Sequence, residues 1–166
     1  MGSQSVRAIS SIQDRKNFIK HLLIDIEAFE KMVSEDMFEK GIQRIGAEQE
    51  ICIVKNDYTP SYNALTILKN VNDPHFTTEL GLFNLEINLD PQELKASCFS
   101  KLEEELATFL SNASKEASKI ENDKIILAGI LPTLRTKDLH FKYITPHKRY
   151  KTLNKVLKKI RGAEFK

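Results

Sequence analysis

The sequence predicts an α+β fold, an antiparallel or mixed sheet with helices packed on one side. Three observations carry that expectation. Apolar residues recur every three to four positions over 18–29 and 102–120, the repeat of a helix with one buried face. Over 45–54 and 83–89 the repeat shortens to two, the period of a strand. The segments between them are rich in Asn, Asp, Pro and Gly, which break regular structure.

The elements follow in order. Residues 1–13 are Ser-rich and weakly patterned, so a loose N-terminus is expected, followed by one domain over 14–162 and a tail at 163–166. A helix is expected from Asp14, burying Phe18, Leu22, Ile26 and Phe29. A second helical stretch is expected through "SEDMFEKG", with Ser34 as N-cap and Gly41 as stop. "RIGAEQEICIV" then reads as a strand with Ile45, Ala47, Gln49, Ile51 and Ile53 on one face. Its other face carries Gly46, Glu48, Glu50, Cys52 and Val54. "KNDYTPSYN" is a loop, 63–70 a short helix, and "NDP" at 72–74 a break.

"FTTELGLFNLEINL" (76–89) is the second strand region. Phe83, Leu85, Ile87 and Leu89 share one face, and Leu82, Asn84, Glu86 and Asn88 the other. Asp90 as N-cap and Pro91 at the first position are expected to open a long helix striped by Leu94, Leu102, Leu106, Phe109, Ala113, Ala117 and Ile120. "KIILAGI" (124–130) reads as a third strand, 131–148 as a long irregular connection, and "RYKTLNKVLKKIRG" as a closing basic helix.

Composition narrows the function. With 166 residues, 41% hydrophobic and 29% charged, the chain is long enough to bury a core. A formal net charge of +2 gives no reason to name nucleic acid or anionic membrane as the main partner. Cys52 and Cys98 are too few for a disulfide framework and lack metal-ligand spacing, so both are read as reduced. No apolar run reaches the roughly 18 residues of a membrane-spanning helix, and the N-terminus lacks a signal-peptide core; a cytoplasmic protein is expected.

The residues that carry chemistry are acidic. Glu48 and Glu50 project from one strand face, roughly 6.5–7 Å apart. Glu86, flanked by Asn84 and Asn88, projects from the polar face of another. Glu79 stands seven residues before Glu86, which strict alternation puts on the opposite face unless a bulge at Gly81 realigns it. Carboxylates that converge on one face repel one another and are costly to desolvate. Oxygen-preferring divalent cations, Mg²⁺ or Mn²⁺, relieve both costs. The alternative is an ordinary wet sheet face, although Glu is depleted from strands and four stand in these two.

Other chemistries have less support. There is no P-loop or Rossmann glycine pattern, and His21, His75, His140 and His147 have no zinc spacing. The Lys and Arg residues of the terminal helix are read as a solvated face, with phosphate or nucleic-acid contact as the lesser alternative.

"IGAEQEICIV" resembles the G-x-E-x-E strand of the glutamate–cysteine ligase family, in its type 2 carboxylate–amine ligase branch. In order after it, "TELGLFNLEINL" resembles the family's acidic residue followed seven later by a second Glu. "LAGILPTL" resembles its A-G-x-x-P strand end, and "ITPHKRYKTLNKVL" its T-P-x-P-R-Y segment. The resemblance covers roughly residues 43–162. It implies a glutamine-synthetase-like fold whose curved antiparallel sheet holds ATP and divalent cations on its concave face. It implies ATP-dependent amide bond formation, in which ATP phosphorylates a substrate carboxylate and an amine displaces the acyl phosphate. Glu48, Glu50, Glu79 and Glu86 would then be Mg²⁺ ligands. Arg149 would be the catalytic contact to a phosphate or carboxylate. With Asn84 it is also a candidate cofactor-binding residue.

Leu131 stands where many members carry His, and Lys148 replaces the second Pro of T-P-x-P-R-Y. The family's catalytic domain is much longer, so the chain is expected to represent its N-terminal part, inactive by itself. The implied partners are ATP, a glutamate-like carboxylate and an amine. Self-association through an open sheet edge is a further expectation. The competing reading is a catalytically inactive ligand-binding or assembly module of the same fold.

Overall fold

Ser11 and Asp14 start the first helix. In the computed structural model, which describes residue 6 and residues 9–162, the Ser11 hydroxyl accepts the Asp14 N–H at 3.0 Å. In return Asp14 Oδ2 accepts the Ser11 N–H at 3.1 Å. This exchange gives partners to donors that the first turn cannot pair internally. It opens α1, Ile12–Ser34.

Two expectations fail here. None of the residues of α1 is buried, so Phe18, Leu22, Ile26 and Phe29 do not form a buried face. The second helix, from Ser34 to Gly41, does not form either, because Ser34 ends α1 instead of capping a new helix. Asp36 adopts a φ of 60°, and the N–H groups of Asp36 and Met37 return to the carbonyls of Val33 and Met32. That closure satisfies the last carbonyls and turns the chain away from the helix axis. Most of the expected loose segment 1–13 and all of the tail 163–166 lie outside the described residues.

One structural unit ends at Ile42 and a second begins at Gln43. The second unit contains β1 (Arg44–Ile45), β2 (Glu48–Val54), α2 (Ala64–Val71), β3 (Phe76–Thr78), β4 (Asn84–Asn88), β5 (Gln92–Glu93), α3 (Cys98–Ser118), β6 (Lys124–Ile126) and α4 (Lys148–Arg161). Four strands form a sheet in the order β3-β4-β2-β6, and β1 pairs with β5 in a separate short ladder. Every pairing between these strands is antiparallel.

The region read as one strand over 76–89 is a hairpin, β3 and β4 joined across 79–83. Phe83 lies in its turn and packs with Cys52, Val54 and Leu131, not on the face of Leu85 and Ile87 where strict alternation puts it. The helix expected from Asp90 and Pro91 begins instead at Cys98. The intervening residues are held elsewhere: Gln92 and Glu93 pair with Ile45 and Arg44, and the Leu94 N–H donates to the Gln43 carbonyl. Leu94 is accordingly exposed.

The main core lies between the sheet and two helices. Ile51 and Ile53 of β2 and Leu85 and Ile87 of β4 pack against Ala64 and Ile67 of α2 and Leu102, Phe109, Ala113 and Ala117 of α3. Successive side chains point to opposite faces, so Glu50, Cys52 and Val54 of β2 and Asn84, Glu86 and Asn88 of β4 turn the other way. On the reverse face a smaller cluster of Cys52, Val54, Phe83 and Leu131 covers one end of β2. Leu131 is supplied by the 131–147 connection, which contains two 3₁₀ turns, Thr136–Leu139 and Phe141–Tyr143. Buried Asp138 pins that connection, accepting the Arg135 N–H at 2.8 Å and the Tyr62 hydroxyl at 2.7 Å. Tyr62 stacks on Tyr143, with ring centroids 3.8 Å apart.

Candidate metal-binding face

Register decides which acidic residues meet. In the β2–β4 ladder Glu50 lies directly opposite Glu86, Glu48 opposite Asn88 and Cys52 opposite Asn84. All six are therefore on the face away from α2 and α3, since Ile51 and Ile53 turn toward those helices. In the β3–β4 ladder Thr77 lies opposite Glu86. Glu79, two residues beyond Thr77, reaches the same face from across the hairpin, so no bulge at Gly81 is needed.

Gly81 has another task. A Cβ there would meet Phe83 Cε1 at 2.8 Å and Asn84 Oδ1 at 3.2 Å, so the turn closes over the Phe83 ring only without one.

Two like charges directly opposite across strands destabilise a sheet. No ion pair to Glu48, Glu50, Glu79 or Glu86 occurs among the described residues. Glu86 accepts from Asn88 Nδ2 at 2.9 Å, and Glu79 Oε2 accepts the Leu80 N–H at 2.9 Å. The Glu79 carboxyl is held above the usual carboxylate range, first by burial and then by its contact with Glu86 and the charges of Glu50 and Glu86. The Leu80 N–H opposes that shift. Farther along the face, burial and then the Glu50 charge push the Cys52 thiol up, while Asn84, 3.6 Å from its sulfur, pulls the other way.

A site this acidic and without lysine or arginine partners has the oxygen-only donor set of a hard divalent cation. Glu48, Glu50, Glu79 and Glu86 are the residues that would hold Mg²⁺ or Mn²⁺ there. Glu48 and Glu50 are exposed to solvent, Glu79 and Glu86 are half-buried, and no three of the four carboxylates close into a group as tight as 4.8 Å among the described residues.

The hairpin turn is stitched to the start of α4. Leu82 N–H donates to the Tyr143 carbonyl and Thr145 N–H to the Leu80 carbonyl, each at 2.8 Å. The buried Thr145 hydroxyl donates to the Glu79 carbonyl, and Thr78 Oγ1 lies 2.8 Å from His147 Nε2. The "TELGLFNLEINL" and "ITPHKRY" segments, far apart in the chain, are thus in direct contact.

Arg149 lies in the first turn of α4, where its Nη2 donates to the Tyr150 hydroxyl at 2.7 Å and its guanidinium sits 4.7 Å from that ring. Its Nε is buried without a hydrogen-bond partner. None of its hydrogen bonds reaches the four glutamates. Asn84 sits on the glutamate face but bonds toward Cys52.

Some features had no clear sequence signal. Thr145 and His147, which position the turn beneath Glu79, sit in a connection with no periodicity to place them. His75, read as a loop residue, donates from Nδ1 to Asp73 Oδ1 at 2.7 Å, and its ring lies tilted against Phe109 with centroids 4.7 Å apart. Its ligand atom and those of Asp90 and Glu105 all lie within 4.8 Å of one another, a tighter grouping than the four glutamates make. A cleft of about 340 Å³ brings together Lys55 from the loop after β2 and Arg135 and Lys137 from the 131–147 connection.

Comparison of the chain with family models, with curated proteins and with solved structures gives no match.

Proposed function

We propose that this chain is the cation-binding, N-terminal part of an ATP- and Mg²⁺-dependent carboxylate–amine ligase of the glutamate–cysteine type. The observation that carries the reading is the register: Glu50 faces Glu86 across β2 and β4, with Glu79 beside them on the same face. A sheet face that gathers carboxylates without a compensating lysine or arginine is suited to hold a metal, not to stabilise the fold. The contact between the hairpin turn and the start of α4 adds a second support, because it brings together two of the segments that carry the family resemblance.

In this reading Glu48, Glu50, Glu79 and Glu86 hold Mg²⁺ or Mn²⁺. The cations, when bound, offset charge on the ATP phosphates during phosphoryl transfer to a glutamate-like carboxylate. Glu79 is oriented by the Leu80 N–H and by Thr145, which holds its carbonyl. Arg149 carries an unused buried Nε donor and serves a phosphate or carboxylate once its guanidinium turns from Tyr150.

The test is Mg²⁺-dependent ATP binding by calorimetry, together with ADP release in the presence of glutamate and a panel of amines. Glu50→Gln with Glu86→Gln is expected to weaken cation-dependent ATP binding by about a hundredfold or more. Unchanged binding in that double variant would sink the assignment. A second reading, a non-catalytic ligand-binding or assembly module, is favoured by the engagement of Arg149 with Tyr150. Mg²⁺-dependent ATP binding without ADP release selects it.

A further inference from the structure

Ten large apolar side chains of α1 are exposed in a helix of 23 residues. A helix in a folded protein gains most of its stability by packing an apolar face, and the apolar side chains of α1 are exposed. The apolar positions are ordered. Ile12, Ile19, Ile26 and Val33 repeat every seven residues, and Arg15, Leu22 and Phe29 fall between them at alternating steps of three and four. That is the heptad seam by which one helix packs against another, sustained over the roughly 34 Å of α1.

We infer that α1 pairs with α1 of a second copy of this chain, with the two helices antiparallel. The seam and its flanking charges select both occupant and direction. A parallel, in-register pair sets Arg15 against the partner's Arg15 and Phe29 against the partner's Phe29. It also places Asp25 beside the partner's Glu30, a like-charge contact repeated twice by symmetry. An antiparallel pair centred between Leu22 and Ile26 removes all three conflicts. Leu22 then meets the partner's Ile26, and Ile19 meets the partner's Phe29, a large residue against a smaller one. Arg15 lies against the partner's Val33, where its aliphatic stem packs and its charge reaches water. On one flank Lys16 lies beside the partner's Glu30, and Leu23 beside the partner's Leu23. On the other, Phe18 lies beside the partner's Met32. The like-charge meeting that remains is Asp25 with the partner's Asp25.

The experiment is sedimentation equilibrium of the whole chain over about a hundredfold range of concentration. The expected mass rises to twice the 19.0 kDa of one chain. Leu22→Glu is expected to return it to monomer. Lys16→Glu is expected to weaken association about threefold to tenfold, and adding Glu30→Lys to restore it, because the two positions exchange charges across the pair. Leu23→Cys is expected to give a disulfide-linked dimer on mild oxidation, whereas Ile26→Cys is not. A monomer at the highest concentration overturns the inference. So does a dimer unaffected by Leu22→Glu and by the Lys16 charge reversal, since its interface lies elsewhere. Cross-linking through Ile26→Cys but not Leu23→Cys overturns the antiparallel direction.

Discussion

The two faces of the central sheet are made from alternate residues of the same strands, yet they obey different rules. Toward α2 and α3, Ile51, Ile53, Leu85 and Ile87 are fully buried and exclude water. One peptide unit away, Glu50 and Glu86 oppose each other with Glu79 nearby and no cation among their partners. The first face stabilises the fold by burial, whereas the second, with Glu48 and Glu50 exposed and Glu79 and Glu86 half-buried, sets like charges side by side. A sheet can carry such a face because each residue's side is set by the backbone period. The packed face holds the glutamates in place whether or not they repel.

The largest effect should come from the packed face. Leu85→Ala, which empties a fully buried position, is expected to lower unfolding free energy by about 2–5 kcal/mol in a denaturant titration. If the loss were well under that range, the two faces would be less unequal than their burial implies.

Next is the effect of cations on the acidic face. Saturating Mn²⁺ or Mg²⁺, at about a hundred times the dissociation constant, should raise stability by about 2.7 kcal/mol. A thermal melt unmoved by either ion, where a similar concentration of Na⁺ is also inert, would leave the acidic face without a ligand.

The hairpin that joins the faces comes third. Gly81→Ala brings a Cβ against Phe83 Cε1 at 2.8 Å and is expected to destabilise by about 1–3 kcal/mol. Phe83→Leu should relieve part of that loss in the double variant, which a double-mutant cycle would read.

The smallest effect is a pH dependence. Glu79 has a folded-state pKa raised above its unfolded value, so its contribution to stability is present at acid pH and declines as pH rises through the raised value. Glu79→Gln is therefore expected to gain stability over the parent at neutral pH and to lose that advantage under acid conditions. Saturating Mg²⁺ should reverse the order, because the variant gives up a ligand. The same difference at both pH values would show that Glu79 is unperturbed.

Strands β2 and β4 were legible because alternation records burial directly, whereas the strand expected over 124–130 forms only at Lys124–Ile126, with Leu127 and Ile130 exposed beyond it. Residues 48–54 and 84–89 fall on the faces their sequence indicates, and three of the four glutamates are placed by that period alone. The α3 stripe from Leu102 to Ile120 was legible for the same reason, at the helical period. The failures occur where a long-range contact outweighs a local signal. Asp90 and Pro91 form a good helix start, but the pairing of β5 with β1 captures the residues after them. Ser34 is a good N-cap, yet Asp36 in the left-handed region ends α1 there. For Glu79, counting along one strand misleads because the chain reverses between it and Glu86. The contact of Thr145 with Glu79 spans 66 residues, a distance over which local pattern carries no information.

That last contact also has a consequence in time. The β3–β4 hairpin closes over a short loop, with Thr77 meeting Glu86, so Glu79 and Glu86 can be neighbours early in folding. The Thr145 clasp requires the chain to return from beyond α3 and β6, and loop closure of that length is slow and entropically unfavourable. By loop length alone, Glu79 and Glu86 meet before the clasp that orders the turn beneath them. In a nascent chain the acidic hairpin precedes its lock by the whole length of α3, β6 and the irregular connection.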